Sequence, residues 1–376
     1  MALTAFKKSP LAWFLYATVF FVSGTFACIF HILSLVLWPI SKVYYRHVSM
    51  AIGRLWLANL TALPEFWSGL EWEVYCPNDD DKYFGKENAL IVANHRSDVD
   101  WLIGLTFADR FNMVPATKCY LKSAIKYVPL LGFSFWNLEH LFVKRDWAKD
   151  SISLERQLKS LKEGPFPLWL TIFAEGTRYT KEKYLKSVEF AKKNGLPVLK
   201  HHMQPRVKGF TLAYSCLKEK CDAIYDTTFI FPDTLPSLMH LLFCKPCKIV
   251  LLVRRLPISV IRGEDDEQAC TKFLRELYVT KDQLMDEYLQ KGTVGWPRCY
   301  AHRNRTTFLL TTIWWTIVLV SLVFYLIPAI ISGSRVALVS SGVFSLLIII
   351  GGLIARNFTM SEKSSLYGVK NNKKKL

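Results

Sequence analysis

Residues 91–100 are Ile91-Val92-Ala93-Asn94-His95-Arg96-Ser97-Asp98-Val99-Asp100, a stretch in which an apolar run gives way to polar side chains. The run begins at residue 89 and shows no alternation of apolar and polar residues, which predicts a strand buried on both faces. Ser97 or Asp98 is a candidate N-cap for a helix that begins near Val99. His95 would then lie at the carboxyl edge of a sheet, where α/β proteins place their sites.

Asp100 follows His95 by five residues and would lie in the first turn of that helix. A carboxylate in this position can fold back to orient the imidazole, and an oriented histidine can act as a general base near neutral pH. Asp98 is a second candidate for the same role. A histidine at a strand end can also be structural or merely exposed, so this stretch by itself leaves the catalytic interpretation open.

The composition indicates a membrane protein. Of the 376 residues, 51% are hydrophobic, and the formal net charge is +17. Such a charge suits nucleic acid or an anionic membrane surface, and the long apolar segments favour the membrane. No zinc-finger spacing or aromatic–basic RNA-binding signature occurs, so we expect no nucleic-acid partner. The nine cysteines are scattered, and the close pair Cys244 and Cys247 has no second pair to complete a metal site, so reduced cytosolic thiols are expected.

Residues 1–70 are predicted to form an N-terminal membrane anchor and an amphipathic segment. The apolar run 11–40 exceeds the ~20 residues that a spanning helix needs. It lacks a small-residue cleavage site, which predicts an uncleaved anchor that spans the membrane or lies in one leaflet. Segment 42–63 mixes basic and aromatic residues, which is typical of a helix on a membrane surface. A helix that covers the protein core is the alternative.

Residues 71–297 are predicted to form a cytosolic domain in which strands alternate with helices. This alternation indicates an α/β fold with a mostly parallel sheet and flanking helices. Strands are predicted at 71–75, 89–93, 114–118, 168–174, 223–231 and 249–253. Helices are predicted at 100–110, 151–163, 184–194 and, as one helix or two, 268–290.

Residues 298–376 are predicted to form a C-terminal transmembrane hairpin and a basic tail. Segments 308–331 and 336–355 are each long enough to cross a membrane, and a turn near Gly333 joins them. Basic residues flank both outer ends of the hairpin, so the positive-inside rule places both ends in the cytosol. The terminal Lys373-Lys374-Lys375-Leu376 fits a dilysine retrieval pattern of the endoplasmic reticulum; a solvated basic tail is the alternative.

A second polar cluster, Glu175-Gly176-Thr177-Arg178, follows the predicted strand 168–174. The glycine lets backbone amides approach a ligand closely. Arg178 can hold a phosphate through two parallel hydrogen bonds, and Arg145 offers a second guanidinium. Taken alone, each arginine fits a solvated or salt-bridged surface residue equally well, and Glu175 with Arg178 could form a structural ion pair.

Four blocks together resemble the glycerolipid acyltransferase family in order and spacing. They are Asn94-His95 with Asp100, Phe142-Val143-Lys144-Arg145, Phe173-Ala174-Glu175-Gly176-Thr177-Arg178 and Gln204-Pro205-Arg206. The resemblance extends over residues 71–290 and looks closest to the 1-acylglycerol-3-phosphate acyltransferases of the eukaryotic gamma/delta and plant endoplasmic reticulum type. Further stretches similar to that branch are Lys122 with Tyr127-Val128-Pro129, Lys200-His201-His202, Val207-Lys208-Gly209-Phe210 and Lys281-Asp282-Gln283-Leu284.

This resemblance implies roles for particular residues. His95 would be the general base and Asp100 its orienting partner. The implied substrate-binding residues are Arg145, Glu175, Gly176, Thr177, Arg178, Lys122 and Pro205. Backbone amides near Asn94 or Gly176 would stabilise the oxyanion.

The resemblance also implies a reaction and a location. The enzyme would move an acyl chain from acyl-CoA, a co-substrate, to the sn-2 hydroxyl of lysophosphatidic acid and give phosphatidic acid, with no cofactor and no metal. Its partners would be these two substrates and membrane lipids; protein partners are not indicated. The expected location is the endoplasmic reticulum membrane, multi-pass, with the catalytic domain and the tail in the cytosol.

Two alternatives stay open at this point. The blocks indicate the reaction better than the acceptor, so lysophosphatidylinositol or a lysocardiolipin could replace lysophosphatidic acid. A non-catalytic lipid-binding protein is the second alternative. It would need none of His95, Asp100, Glu175 and Arg178, and their joint presence argues against it.

Overall fold

A computed structural model describes residues 2–144, 146–299 and 301–360, and the side chains of residues 5–144, 146–299 and 301–353. The strands are β1 Glu71–Tyr75, β2 Ala89–Ala93, β3 Thr117–Lys122, β4 Leu141–Val143, β5 Trp169–Phe173, β6 Ala223–Ile230 and β7 Lys248–Pro257. They form one seven-stranded sheet in the order β1-β7-β6-β2-β5-β3-β4.

The apolar strand β2 lies at the centre of this sheet and pairs in parallel with β5 and β6. All of its residues are buried. Ala89, Ile91 and Ala93 pack into one core, whereas Leu90 and Val92 pack into a second core on the opposite face. A strand with both faces covered needs apolar residues at every position, which explains the run without alternation.

The sheet is mostly parallel, as predicted. Strands β3, β4, β5 and β6 run in the direction of β2, while β7 is antiparallel to β6 and β1 is parallel to β7. The reversed pair lies at one edge of the sheet. The carboxyl ends of β2 and its two neighbours therefore meet at one edge, where Ala93 pairs with Phe173 and Thr227.

Helices cover both faces of the sheet. The α-helices of the described residues are α1 Ala2–Lys7, α2 Pro10–Ser34, α3 Lys42–Ala62, α4 Asp100–Asp109, α5 Leu131–Asn137, α6 Trp147–Glu163, α7 Lys181–Lys193, α8 Val207–Leu217, α9 Leu238–Leu242, α10 Asp266–Lys291, α11 Arg305–Ser321, α12 Ile327–Ile331 and α13 Arg335–Met360. Residues of α3 and α4 belong to the core on one face, and residues of α6, α8 and α10 belong to the core on the other. The predicted α/β fold with flanking helices is thereby confirmed.

Several predicted boundaries were wrong, such as the helix start at 184, which lies at Lys181, and the strand end at 253, which lies at Pro257. Two other errors have identifiable reasons. The strand predicted at 114–118 begins at Thr117, because the Thr117 amide donates to the Met113 carbonyl at 2.8 Å and residues 113–117 turn. The helix predicted to begin at residue 151 begins at Trp147. Asp150 lies inside its first turn, and its carboxylate accepts hydrogen bonds from the amides of Lys144 and Asp146 at 2.9 and 3.1 Å. It therefore secures the preceding loop.

Three of the described helical segments are long and apolar enough to cross a membrane: Pro10–Leu37, Arg305–Ile331 and Arg335–Leu353. The last two match the predicted C-terminal hairpin. A turn with Gly333 at φ +77° joins them, a conformation that favours glycine. The dilysine tail lies outside the described residues.

Helix α3 packs differently from the surface helix predicted for segment 42–63. Its second half is buried, with Trp56, Leu57 and Ala58 at 0% exposure. Arg46 forms an ion pair with Glu139 and Arg54 forms one with Asp109, so these basic side chains bind the protein itself. The alternative of a helix that covers the core describes this half of α3; Val43 and Tyr44 in its first turn are exposed.

Candidate active site

The loop after β2 is secured to the neighbouring strand β6 by a side chain. The Asn94 amide group donates to the Phe229 carbonyl at 3.0 Å and accepts from the Phe229 amide at 2.7 Å. These two bonds continue the pairing pattern of the sheet for one residue beyond the strand. His95 therefore leaves the sheet from a fixed point.

The imidazole of His95 contacts the carboxylate of Asp100. The His95 Nδ1 lies 2.9 Å from Asp100 Oδ2, which also accepts hydrogen bonds from the amides of Arg96 at 2.6 Å and Ser97 at 2.8 Å. An ionised carboxylate can only accept, so Nδ1 carries the hydrogen and Nε2 keeps a free electron pair. The Asp100 side chain has 0% exposure and that of His95 has 24%. The imidazole is thus accessible to solvent while its carboxylate partner is fully buried.

Asp98, the rival for this role, lies elsewhere. Its carboxylate accepts a hydrogen bond from the Ser97 hydroxyl at 3.2 Å. Burial raises the pKa of Asp98, and the positive charge of Arg178 acts against that rise. The prediction that Ser97 or Asp98 caps the helix was wrong, since α4 begins at Asp100 with Val99 at the cap position. The carboxylate of Asp100, the first residue of the helix, instead accepts hydrogen bonds from the loop amides of Arg96 and Ser97.

Glu175 faces into the protein. Its side chain accepts hydrogen bonds from the backbone amides of His95 at 3.1 Å and Met203 at 3.4 Å, and the residue is 2% exposed. Burial raises its pKa to about 8. Both carboxyl oxygens thus hold the loops around His95, and a direct contact of Glu175 with the acceptor stays a prediction.

Gly176 lies in a tight turn and against an arginine. Its φ is +70°, and a Cβ at this position would lie 2.6 Å from Cδ of Arg206. The Gly176 amide donates to the Phe173 carbonyl at 2.9 Å. This amide is therefore already bonded within the turn, and the stabilisation of an oxyanion by backbone amides near Asn94 or Gly176 stays a prediction. The amides of His95, Arg96 and Ser97 are likewise bonded to carboxylates.

Thr177 and Arg178 follow at the same edge of the sheet. The Lys183 ammonium donates to the Thr177 hydroxyl at 2.8 Å and to the Arg178 carbonyl at 2.9 Å, so α7 holds this turn in place. Lys122 lies at the carboxyl end of β3, in register with Val143 of β4. These residues come to the carboxyl edge of the sheet from two strands, β3 and β5. Arg145, the other predicted phosphate ligand, lies outside the described residues.

Two arginines at this edge were not predicted as site residues. Arg206 is exposed beside Gly176, and its amide donates to the Ala174 carbonyl at 2.7 Å; the preceding Pro205 leads the chain into this position. Arg96 lies 4.6 Å from the ring centre of Tyr179 and donates to the His201 carbonyl at 2.7 Å. Arg206 belongs to a quoted block and Arg96 directly follows His95, which was the available signal. Only the folded chain brings Arg206 to Gly176 and Arg96 to His201.

Profiles of two protein families match this chain. The Acyltransferase profile matches residues 73–202, which include the His95 and Glu175 loops, and the Acyltransferase C-terminus profile matches residues 240–315.

Known relatives match over the whole length. The 1-acyl-sn-glycerol-3-phosphate acyltransferase gamma of Pongo abelii is 35% identical, with 100% of each chain covered, and the delta enzyme of Homo sapiens is 32% identical, with 98% of each chain covered. A solved structure, the 1-acyl-sn-glycerophosphate (LPA) acyltransferase PlsC of Thermotoga maritima, aligns with a TM-score of 0.45 and 14% identity over 73% of this chain and 95% of that chain. From the full-length relatives, the chain belongs to the 1-acyl-sn-glycerol-3-phosphate acyltransferase family.

Proposed function

We propose that this protein transfers an acyl chain from acyl-CoA to the sn-2 hydroxyl of lysophosphatidic acid and so forms phosphatidic acid. The observation that supports the proposal is the accessible His95 imidazole, oriented by the sealed carboxylate of Asp100 at 2.9 Å. Relatives named for this activity match the full chain. The reaction as proposed uses acyl-CoA as a co-substrate and needs no cofactor.

His95 Nε2 takes the proton of the acceptor hydroxyl as the hydroxyl oxygen attacks the thioester carbon. Proton removal in the transition state contributes roughly 10²–10⁴-fold to such reactions. The tetrahedral intermediate collapses, the carbon–sulfur bond breaks and the thiolate receives the proton from the imidazolium. Asp100 stabilises the imidazolium while it holds the proton, since its carboxylate is already in contact with Nδ1.

The acceptor's phosphate would bind to the cations at the same edge of the sheet. Arg178 follows Gly176 by two residues on the turn secured by Lys183, and the exposed Arg206 packs against Gly176. A phosphate monoester carries nearly two negative charges at pH 7, and a guanidinium fork matches its oxygens. Arg145 is proposed as a further ligand from its block alone.

The location proposed is the endoplasmic reticulum membrane, with the catalytic domain and both ends of the C-terminal hairpin in the cytosol. Three described helical segments have the length and apolar character for crossing. Arg303 precedes the first C-terminal segment and Arg305 begins it, and cytosolic loops are enriched in such residues. Protease digestion of sealed microsomes tests this topology, and a protected C-terminal tag would contradict it.

The activity is tested with the purified full chain, one labelled acyl-CoA and a panel of acceptors. Lysophosphatidic acid should be the preferred acceptor over lysophosphatidylinositol, lysocardiolipin and lysophosphatidylcholine. A preference for lysophosphatidylinositol or lysocardiolipin would reject the proposed acceptor but retain the reaction class. No transfer to any acceptor would reject the enzyme assignment.

The phosphate contact is tested with Arg178→Lys, which keeps the charge but loses the planar fork. The loss of one charge-assisted hydrogen bond, about 1.5–3 kcal/mol, should raise KM for lysophosphatidic acid about tenfold or more. KM for acyl-CoA should change much less. An equal rise in both constants in the folded variant would argue for a general effect on the loop.

A further inference from the structure

One turn of α10 contacts both the strand and the loops that hold His95, although it lies far from His95 in the sequence. Tyr278, Lys281 and Asp282 form this turn, which we call the α10 bracket. We propose that the α10 bracket sets the position of His95 and that Asp282 is a positioning residue for acyl transfer. The inference rests on the proposed function, since it concerns the rate of the reaction assigned to His95.

The first side of the bracket binds the central strand. The buried Lys281 ammonium donates to the carbonyls of Val92 at 3.3 Å and Thr227 at 2.8 Å, and it lies 2.5 Å from Asp226 Oδ1. A buried ammonium is stable only when such partners surround it, so its position is closely defined. The Tyr278 hydroxyl donates to the carbonyl of Ala93 at 3.3 Å. Two of these contacts, those to the carbonyls of Val92 and Ala93, fix the backbone immediately before Asn94 and His95.

The second side of the bracket binds the loop of residues 200–203. Asp282 Oδ2 accepts from the Lys200 amide at 2.7 Å, and its Oδ1 accepts from the amides of His201 at 2.8 Å and His202 at 3.1 Å. Asp282 Oδ1 also contacts His202 Nδ1 at 2.9 Å. Hydrogen bonds to an ionised carboxylate are among the strong ones, and here one carboxylate gathers three successive amides.

The same loop then contacts the site. The next amide, that of Met203, donates to Glu175 at 3.4 Å, and Glu175 accepts from the His95 amide at 3.1 Å. The His201 carbonyl accepts from the Arg96 guanidinium at 2.7 Å. Asp282 is therefore connected to His95 through one loop and one buried carboxylate. A displacement of about 1 Å in a catalytic group can cost 10²-fold in rate, so a shift of this loop should be visible in turnover.

A purely structural role for Asp282 makes a different prediction. It would lower the amount or the stability of folded enzyme and leave the turnover of each folded molecule unchanged. A positioning role lowers kcat and changes KM little, because the substrates still bind but the base is misplaced. The two roles are separable when kcat is referred to the folded fraction.

The test uses Asp282→Asn in the full-length, detergent-solubilised chain, assayed with lysophosphatidic acid and acyl-CoA. Asparagine keeps the size of the side chain, but its NH₂ group cannot accept the bond from the Lys200 amide. We expect kcat to fall about 10- to 100-fold. Each KM should change by less than about threefold.

Asp286→Asn is the matched control. Asp286 lies one turn further along α10 and binds the same loop, but through the side chains of Lys200 at 2.9 Å and His201 at 2.8 Å. It is not bonded to the amides of residues 200–203. Its substitution should leave kcat within about twofold of the wild type, since these side-chain ion pairs do not hold the backbone of the loop and partly exposed ion pairs contribute little.

A double-substitution cycle with Glu175→Gln tests the connection itself. If Asp282 acts through residue 203 and Glu175, the two losses in kcat should be markedly non-additive. Additive losses would overturn this route. Folded Asp282→Asn with wild-type kcat, or equal losses in Asp282→Asn and Asp286→Asn, would overturn the positioning role.

Two further outcomes are decisive. If Asp282→Asn does not fold, Asp282→Glu replaces it; this variant keeps the charge but moves the carboxylate by one methylene, and an unchanged kcat in it would overturn the inference. If the wild type transfers no acyl group to lysophosphatidic acid, the proposed function fails, and the positioning role fails with it. An active wild type with an equally active Asp282→Asn rejects the inference alone.

Discussion

Helix α4 carries a buried aspartate at each end, and the two have different environments. Asp100 at the first turn binds the His95 imidazole and two loop amides through one oxygen. Asp109 at the last turn binds the Arg54 guanidinium at 2.6 Å and the hydroxyls of Thr61 and Thr307 at 3.1 and 2.7 Å. The first end faces the candidate site, and the second joins α4 to α3 and α11.

The difference lies in the partner of the negative charge. Arg54 is a permanent cation, so the charge of Asp109 is compensated in every state of the enzyme. His95 becomes a cation only when it has taken a proton, so the charge of Asp100 is best compensated at that moment. A buried carboxylate opposite a fixed cation stabilises the fold. One opposite an accessible imidazole would, in the proposed reaction, stabilise the imidazolium.

His95→Ala tests the first end directly and should have the largest effect on acyl transfer. Without the imidazole, nothing at this position can accept the hydroxyl proton, and kcat should fall about 10²- to 10⁴-fold. The thermal unfolding midpoint should change little, because the His95 side chain is partly exposed. The measurement is turnover of labelled acyl-CoA by the solubilised chain. Turnover like that of the wild type would remove the proposed mechanism.

Asp100→Asn should have the next largest effect. Asparagine cannot stabilise an imidazolium, and the loss of this charge-assisted bond, about 1.5–3 kcal/mol, corresponds to about a 10- to 100-fold loss in kcat. Membrane insertion should be retained. If kcat stayed within about twofold of the wild type in the folded variant, a role for Asp100 in orienting His95 would be untenable.

Asp109→Asn should affect stability far more than turnover. Removal of one partner from a buried ion pair costs about 3–5 kcal/mol, and the lower end is expected here because the Arg54 side chain keeps 17% exposure. Thermal unfolding measures the loss, and kcat per folded molecule should stay within about twofold. A loss of kcat as large as that of Asp100→Asn would show that the two ends of α4 do not have separate roles.

Glu175→Gln should have the smallest effect of the four substitutions on folding stability at acidic pH. It extends the comparison to a third buried carboxyl group, whose contribution to stability depends on pH. Burial raises the pKa of Glu175 to about 8, above the unfolded value of 4.5. The stability that this group contributes is thus fully present below pH 4.5 and is lost as the pH rises through 8. Glutamine has no such dependence, so the stability of the wild type relative to the variant should fall between pH 5 and pH 8. A pH-independent difference would show that Glu175 is ionised throughout.

The pattern of apolar and polar residues predicted those helices and strands in which every residue has the same kind of surroundings. The run at Ala89–Ala93 predicted a central buried strand because every position faces a core. The long apolar helices were equally predictable from the sequence, since a helix that crosses a membrane needs a minimum length and an apolar composition. The segment of α3 was ambiguous because a helix that packs on other helices and one that lies on a membrane share the same mixture of residues.

The sequence predicted which types of residue occur at the site. It did not predict which atoms those residues contact. Glu175 and Arg178 lie three residues apart in one block, yet Glu175 turns inward to the amides of His95 and Met203. Arg206 and Arg96 were overlooked because their proximity to Gly176 and His201 exists only after the loops are folded.

The amino-acid sequence by itself determined the apolar strand, the membrane segments, the residue types of the site and membership of the acyltransferase family. The tertiary structure decided which charges are compensated by fixed partners and which remain available for chemistry. Asp100, Asp109 and Asp282 are chemically identical, and their roles differ only in the donors that packing brings to them. The physical reason is that desolvation and hydrogen bonding depend on neighbours that are distant in the chain, and no local pattern specifies those neighbours.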